Sequence, residues 1–175
     1  MLSARGRIVR LDKALSSTTP PRDSKPSSDP AICSTCQAVW HKGKWSQDPS
    51  TRRDVKRWRT PVLVSCPACQ SAKEANPAGI LYVTGTFVAG NRNEILGLLR
   101  NAARAAAAKN PMERIMHIKA EPRYLLVVET TSEKLARRLG RAIHKACAGA
   151  LQIRFSHEDK LVRVYWRRDA AGTVA

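Results

Sequence analysis

Four cysteines fall in two Cys-x-x-Cys pairs, Cys33-Ser-Thr-Cys36 and Cys66-Pro-Ala-Cys69, with 29 residues between the pairs. Two intervening residues let one tight turn aim both sulfurs at a single ion, and two such turns complete a tetrahedral thiolate shell at ~2.3 Å. The spacing predicts a structural zinc site at Cys33, Cys36, Cys66 and Cys69, with iron in a rubredoxin-like site as the other reading. Four sulfurs leave no open position for water, so the ion is expected to hold the fold together and do no catalysis. A thioredoxin-type redox pair occurs once, at the head of a helix after a strand; here each pair lies in polar, turn-rich sequence. Disulfides belong to oxidising compartments, and Met1 to Ser16 lacks the apolar stretch of a secretory signal, so a cytoplasmic, reducing location is expected. His41 reads as a solvent-facing side chain after Trp40, and Cys147, between two alanines, as a small buried apolar group.

The second chemistry is cationic. Lys and Arg number 31 against 14 Asp and Glu, a net charge of +17. The excess is even along the chain: 14 basic against 6 acidic residues over 1–79, and 17 against 8 over 80–175. A field of this sign attracts polyanions, and RNA or the ribosome is the predicted partner, with an acidic protein or DNA as alternatives. Between the cysteine pairs, Lys42, Lys44, Trp45, Arg52, Arg53, Lys56, Arg57, Trp58 and Arg59 mix cations for phosphates with indoles for unpaired bases. Lys134, Arg137, Arg138, Arg141 and Lys145 fall at helical offsets 0, 3, 4, 7 and 11 and form one face, opposite Leu135, Leu139, Ala142, Ile143 and Ala146. At the end of the chain Arg163, Tyr165 and Arg167, with Gln152 and Arg154, alternate against Leu151, Ile153, Phe155, Val162, Val164 and Trp166 in the period of a strand.

These residues need elements to hold them. Residues 1–30 read as a disordered basic arm and linker, since 17–30 have almost no apolar side chains to offset ordering entropy. Residues 31–79 read as a small four-cysteine zinc-ribbon module with a polar insert from Lys42 to Thr60, 80–168 as a second domain, and 169–175 as a flexible tail. In the second domain Ile80 to Val88 predicts a strand and Asn91 to Lys109 a helix, with Asn91 as its cap and Asn110-Pro111 as its stop. Strands follow near 113–120 and 123–130, then a helix from a Ser132 cap to about Ala148. A hairpin of Leu151–Ser156 and Leu161–Arg167 closes the chain around His157-Glu158-Asp159. The class is α+β, and the β-α-β-β-α-β-β order predicts a split-βαβ, ferredoxin-like sheet with both helices on one face. No run of ~18 apolar residues is present, so no membrane helix is expected.

Enzyme chemistry is not specified: Gly85 and Gly90 make no phosphate loop and no Ser-His-acid set can be assigned, so a non-enzymatic protein is expected. Several segments, Cys33-Ser-Thr-Cys36-Gln-Ala-Val-Trp40 with Lys44-Trp45, Cys66-Pro-Ala-Cys69, Pro77-Ala-Gly79, Pro111-Met-Glu-Arg-Ile-Met116, Leu135-Ala-Arg-Arg-Leu-Gly140 and Val162-Arg-Val-Tyr-Trp166, resemble a bacterial family labelled NMD-type proteins affecting ribosome stability and mRNA decay. The resemblance covers roughly residues 31–168; the cysteine region alone is also similar to the N-terminal zinc region of the archaeal and eukaryotic large-subunit export adaptor. It implies binding to ribosomes or RNA, and it carries only Cys33, Cys36, Cys66 and Cys69 over as functional positions.

Overall fold

A computed structural model describes residues 25–58, 60–121, 125–156 and 160–170. The expected arm at 1–24, the His157-Glu158-Asp159 turn and most of the expected tail therefore lie outside the described residues. The architecture is α+β, with two mixed sheets and four helices among the described residues.

The first sheet has four strands of three residues, β1 (Ala31–Cys33), β2 (Val39–His41), β3 (Lys44–Ser46) and β4 (Val62–Val64), in the order β3-β2-β1-β4. Strands this short bury little: Ile32, Val39 and Val55 form one small cluster, and Cys33, Ala38, Cys66 and Ala68 another. The insert expected to be polar contains β3 and a helix, α1 (Pro49–Trp58). Asp48 and Pro49 start that helix: the Asp48 carboxylate accepts from the Thr51 backbone N–H at 3.3 Å, and proline fits the first helical position because its missing donor is unneeded there. A second short helix, α2 (Pro67–Lys73), carries the second cysteine pair. The linker expected to run through residue 30 is tied at its end, where Asp29 accepts from the Lys42 N–H at 2.9 Å and lies 2.7 Å from His41 Nδ1.

The second sheet is built from β5 (Gly79–Thr84), β6 (Ile115–Glu121), β7 (Leu125–Thr130), β8 (Ala150–Ser156) and β9 (Leu161–Arg167), in the order β6-β7-β5-β9-β8. Helices α3 (Phe87–Lys109) and α4 (Glu133–Cys147) pack against each other and against β5, over a core that includes Leu81, Val83, Ile95, Leu99, Leu135, Leu139, Ile143, Val164 and Trp166. Gly140 allows α4 to approach the sheet, since a Cβ there would lie 2.5 Å from a Val164 methyl. A ferredoxin-like order would put the strand after the second helix beside β5. Here β9 takes that place, parallel to β5, and β8 is moved to the edge. Burial accounts for the exchange: β9 buries Leu161, Val162, Val164 and Trp166, whereas β8 exposes Gln152 and Arg154 and belongs at a rim.

Two boundaries differ from the sequence reading. Strand β5 stops at Thr84 because Gly85 turns the chain at φ +104°, and α3 then starts at Phe87, not at Asn91. Asn91 is a break inside the helix (φ −119°, ψ 18°), and its side-chain amide donates to the Phe87 carbonyl at 2.9 Å instead of capping. The cap expected for α4 is present: Ser132 Oγ accepts from the Leu135 N–H at 3.0 Å.

Candidate metal centre

Cys33 ends β1 and Cys36 lies in the turn that follows, closed by Gln37 N–H to the Cys33 carbonyl at 3.0 Å. Gln37 sits at φ +60°, the left-handed backbone that glycine adopts without strain, and its side-chain amide reaches the Cys33 and Ser34 carbonyls at 3.3 Å. Contrary to the turn-rich setting expected for it, the second pair heads a helix after a strand: Cys66 follows β4 and is the N-cap of α2, with Pro67 in the first helical position, so what sets it apart from a redox pair is its convergence with Cys33 and Cys36. The Cys66 sulfur accepts from the Cys69 N–H at 3.5 Å.

The four sulfurs lie within 4.8 Å of one another. A tetrahedron with ~2.3 Å metal–sulfur bonds has edges of about 3.8 Å, and the Cys36–Cys66 sulfur separation is 3.7 Å. A disulfide needs ~2.05 Å, so this pair is unbonded and its separation fits one edge of such a tetrahedron. Cys33, Cys36, Cys66 and Cys69 can thus hold a metal ion, which would supply folding energy to strands too short to do so alone.

Electrostatics distinguish three of the thiols. Burial raises the Cys33 thiol, but the backbone N–H groups of Cys36, Cys66 and Thr35 outweigh it and bring it down to about 6. Burial pushes Cys66 well up, and Cys69 is raised by the same cause. Of these three, Cys33 is the readiest to be a thiolate, and cation binding drives off the remaining protons. The lone Cys147 is buried on α4, where burial first and the Glu94 carboxylate second raise its thiol.

One group from the segment leading into β6 reaches the centre and was not singled out from sequence. The Arg114 guanidinium donates to Cys36 Sγ at 3.2 Å and approaches Cys69 Sγ at 3.8 Å. Its backbone is pinned by Thr131: Arg114 N–H donates to Thr131 Oγ1 at 2.8 Å, and Thr131 N–H donates back to the Arg114 carbonyl at 3.0 Å. Met112 packs against the cysteines beside it. A divalent ion with four thiolates carries a net charge of −2, so a half-buried guanidinium is the complement it needs. No local pattern distinguishes this arginine among 31 basic residues.

The expected cationic residues separate into groups. Lys42, Lys44, Arg53 and Lys56 are exposed on the β2–β3 hairpin and α1, and make no ion pair among the described residues. Arg52 is half-buried, with a buried Nε that lacks a partner, and Arg57 is exposed. Trp45 packs on the cysteines and lies 5.7 Å from Trp40, its ring tilted by 57°. Trp58 ends α1, and Arg59 lies outside the described residues.

On α4 the stripe is partly neutralised. Glu113, 5% exposed, takes Arg138 at 3.3 Å and Lys134 at 4.0 Å. Arg137 lies over the Phe155 ring at 5.6 Å, while Arg141 and Lys145 are exposed. On the sheet face away from the helices, Tyr165 stacks on Tyr82 at 5.0 Å and 9°. Arg163 and Arg154 are register partners beside them, and Arg167 pairs with Asp169 at 3.0 Å. Tyr82 escaped the sequence reading because β5 alone does not reveal its neighbour. No helix among the described residues is long and apolar enough to cross a membrane.

The chain matches no protein-family model, no curated protein and no solved structure.

Proposed function

We propose that this is a non-enzymatic, zinc-containing RNA-binding protein of the cytoplasm, in which a four-cysteine zinc ribbon is joined to a sheet derived from the split-βαβ plan. Zinc is the ion favoured by four thiolates in a closed shell. The observation that carries the RNA reading is the set Lys42, Lys44, Arg53 and Lys56 on the β2–β3 hairpin and α1, exposed and without ion pairs among the described residues. Exposed cations not committed to an ion pair can contact phosphates and release counterions on binding. Resemblance to the NMD-type family makes ribosomal RNA the first target to examine.

The test is affinity for ribosomal RNA at several salt concentrations, alongside co-migration with ribosomal particles in a sucrose gradient. The reading requires a log–log salt slope of several contacts and co-migration that disappears at high salt. No RNA binding at low salt, together with absence from ribosomal fractions, would refute it.

A further inference from the structure

A groove separates the cysteine-bearing sheet from the last turns of α3. One wall is Lys44, Trp45 and Gln47; the other is Arg104 and Lys109, with Pro111 at its end. Ala107 and Ala108, between the two α3 cations in sequence, also line the groove with small side chains. Lys44, Arg104 and Lys109 are exposed and make no ion pair among the described residues, and the acid on the rim, Asp48, is engaged by Ser50 and Thr51. Trp45 rests on the cysteines and also lines the groove.

Resting on the RNA-binding reading above, we propose that this groove holds a single-stranded RNA segment, with Lys44, Arg104 and Lys109 on its phosphates and the Trp45 indole against an unpaired base. Three cations facing one already engaged carboxylate favour a polyanion. The indole decides the class: an aromatic face is a stacking surface for a base freed from pairing, whereas an acidic peptide would use the cations and leave the ring idle. The two walls come from segments about sixty residues apart in sequence, and Arg114, three residues past Pro111, ties them together through Cys36 and Cys69. The groove therefore exists in full only while the cysteine centre is assembled.

The experiment measures fluorescence anisotropy of a labelled uridine-rich 12-mer RNA, and of a duplex of matched length, with the metal-loaded full chain. Arg104→Ala/Lys109→Ala changes only exposed side chains of a long helix. It should weaken single-strand binding about tenfold and reduce the log–log salt slope by about 1.4, two phosphate contacts at ~0.7 each. Trp45→Leu, which keeps an apolar group on the cysteines, should weaken the single strand more than the duplex. If the wild type binds RNA while both variants keep its affinity and slope, the groove is not the site, although the RNA reading stands. If RNA binding is unchanged but affinity for a polyglutamate peptide is lost in the double variant, the occupant is an acidic protein and the proposal fails. If the wild type binds no RNA at low salt, the reading beneath it fails as well.

Discussion

Arg114→Ala should weaken metal binding about 30-fold although it replaces none of the four cysteines. The guanidinium makes one short contact to sulfur, 3.2 Å to Cys36, and one long one, 3.8 Å to Cys69. A hydrogen bond to a charged group contributes about 1.5–3 kcal/mol, and only the shorter contact falls in that range. Partial exposure of the side chain reduces it, while the longer contact adds a smaller share, for a total near 2 kcal/mol or roughly 30-fold in Kd. That lies inside the ~10–100-fold span usual for groups supporting metal ligands. Arg114→Lys should fall between, because an ammonium keeps the charge but loses the fork that reaches two sulfurs. The assay is competition with a chromophoric chelator at fixed pH. At fixed free zinc, thermal stability should drop by the same free energy, since the metal binds only the folded state. Affinity of Arg114→Ala within threefold of wild type would refute the charge-complement argument.

Other expectations are equally direct. Gln37→Gly should stabilise the metal-loaded chain by about 1 kcal/mol, because a left-handed backbone costs a side chain ~1–2 kcal/mol while the two side-chain amide hydrogen bonds that it removes are both long, at 3.3 Å; chemical denaturation reads it, and destabilisation would show that those hydrogen bonds outweigh the strain. Arg138→Ala should cost about 1–3 kcal/mol, less than the ~3–5 of a fully buried pair, because Arg138 is 36% exposed and Lys134 still faces the 6%-exposed Glu113 side chain; an unchanged melting temperature would refute it. In thiol titration the metal-loaded chain should show almost no reactive cysteine; chelation should release four, and Cys147 should react only on unfolding. The pH dependence follows from the raised Cys147 pKa: the buried neutral thiol contributes stability in full below the unfolded value near 9, and that contribution is lost as pH rises from there through the higher folded value.

Much of this was legible in the sequence for definite reasons. The Cys-x-x-Cys spacing is a local constraint, so the four-cysteine cluster could be read without knowing the fold. The Ser132 cap and the alternation of β9 are likewise local signals, present in the structure where periodicity put them. Helix α1 has a local signal too, the Asp48-Pro49 start, but five cations over residues 52–59 give it no apolar stripe to mark it as a helix. The start of α3 misled because Phe87 and Val88 have strand-like composition, while the deciding residue was Gly85 with its positive φ. Non-local facts were out of reach. The exchange of β8 and β9, the stack of Tyr82 on Tyr165, the Glu113 hub that quiets two cations of the α4 stripe, and the Arg114 contact all join residues far apart in sequence.

The central claim is that Cys33, Cys36, Cys66 and Cys69 hold one ion. The most direct measurement is metal content per chain by elemental mass spectrometry, on protein purified under reducing conditions, with Cys66→Ser in parallel. The account predicts close to one equivalent of zinc in the wild type and almost none in the variant. Less than about half an equivalent of any transition metal in the wild type, or undiminished metal in Cys66→Ser, would contradict it.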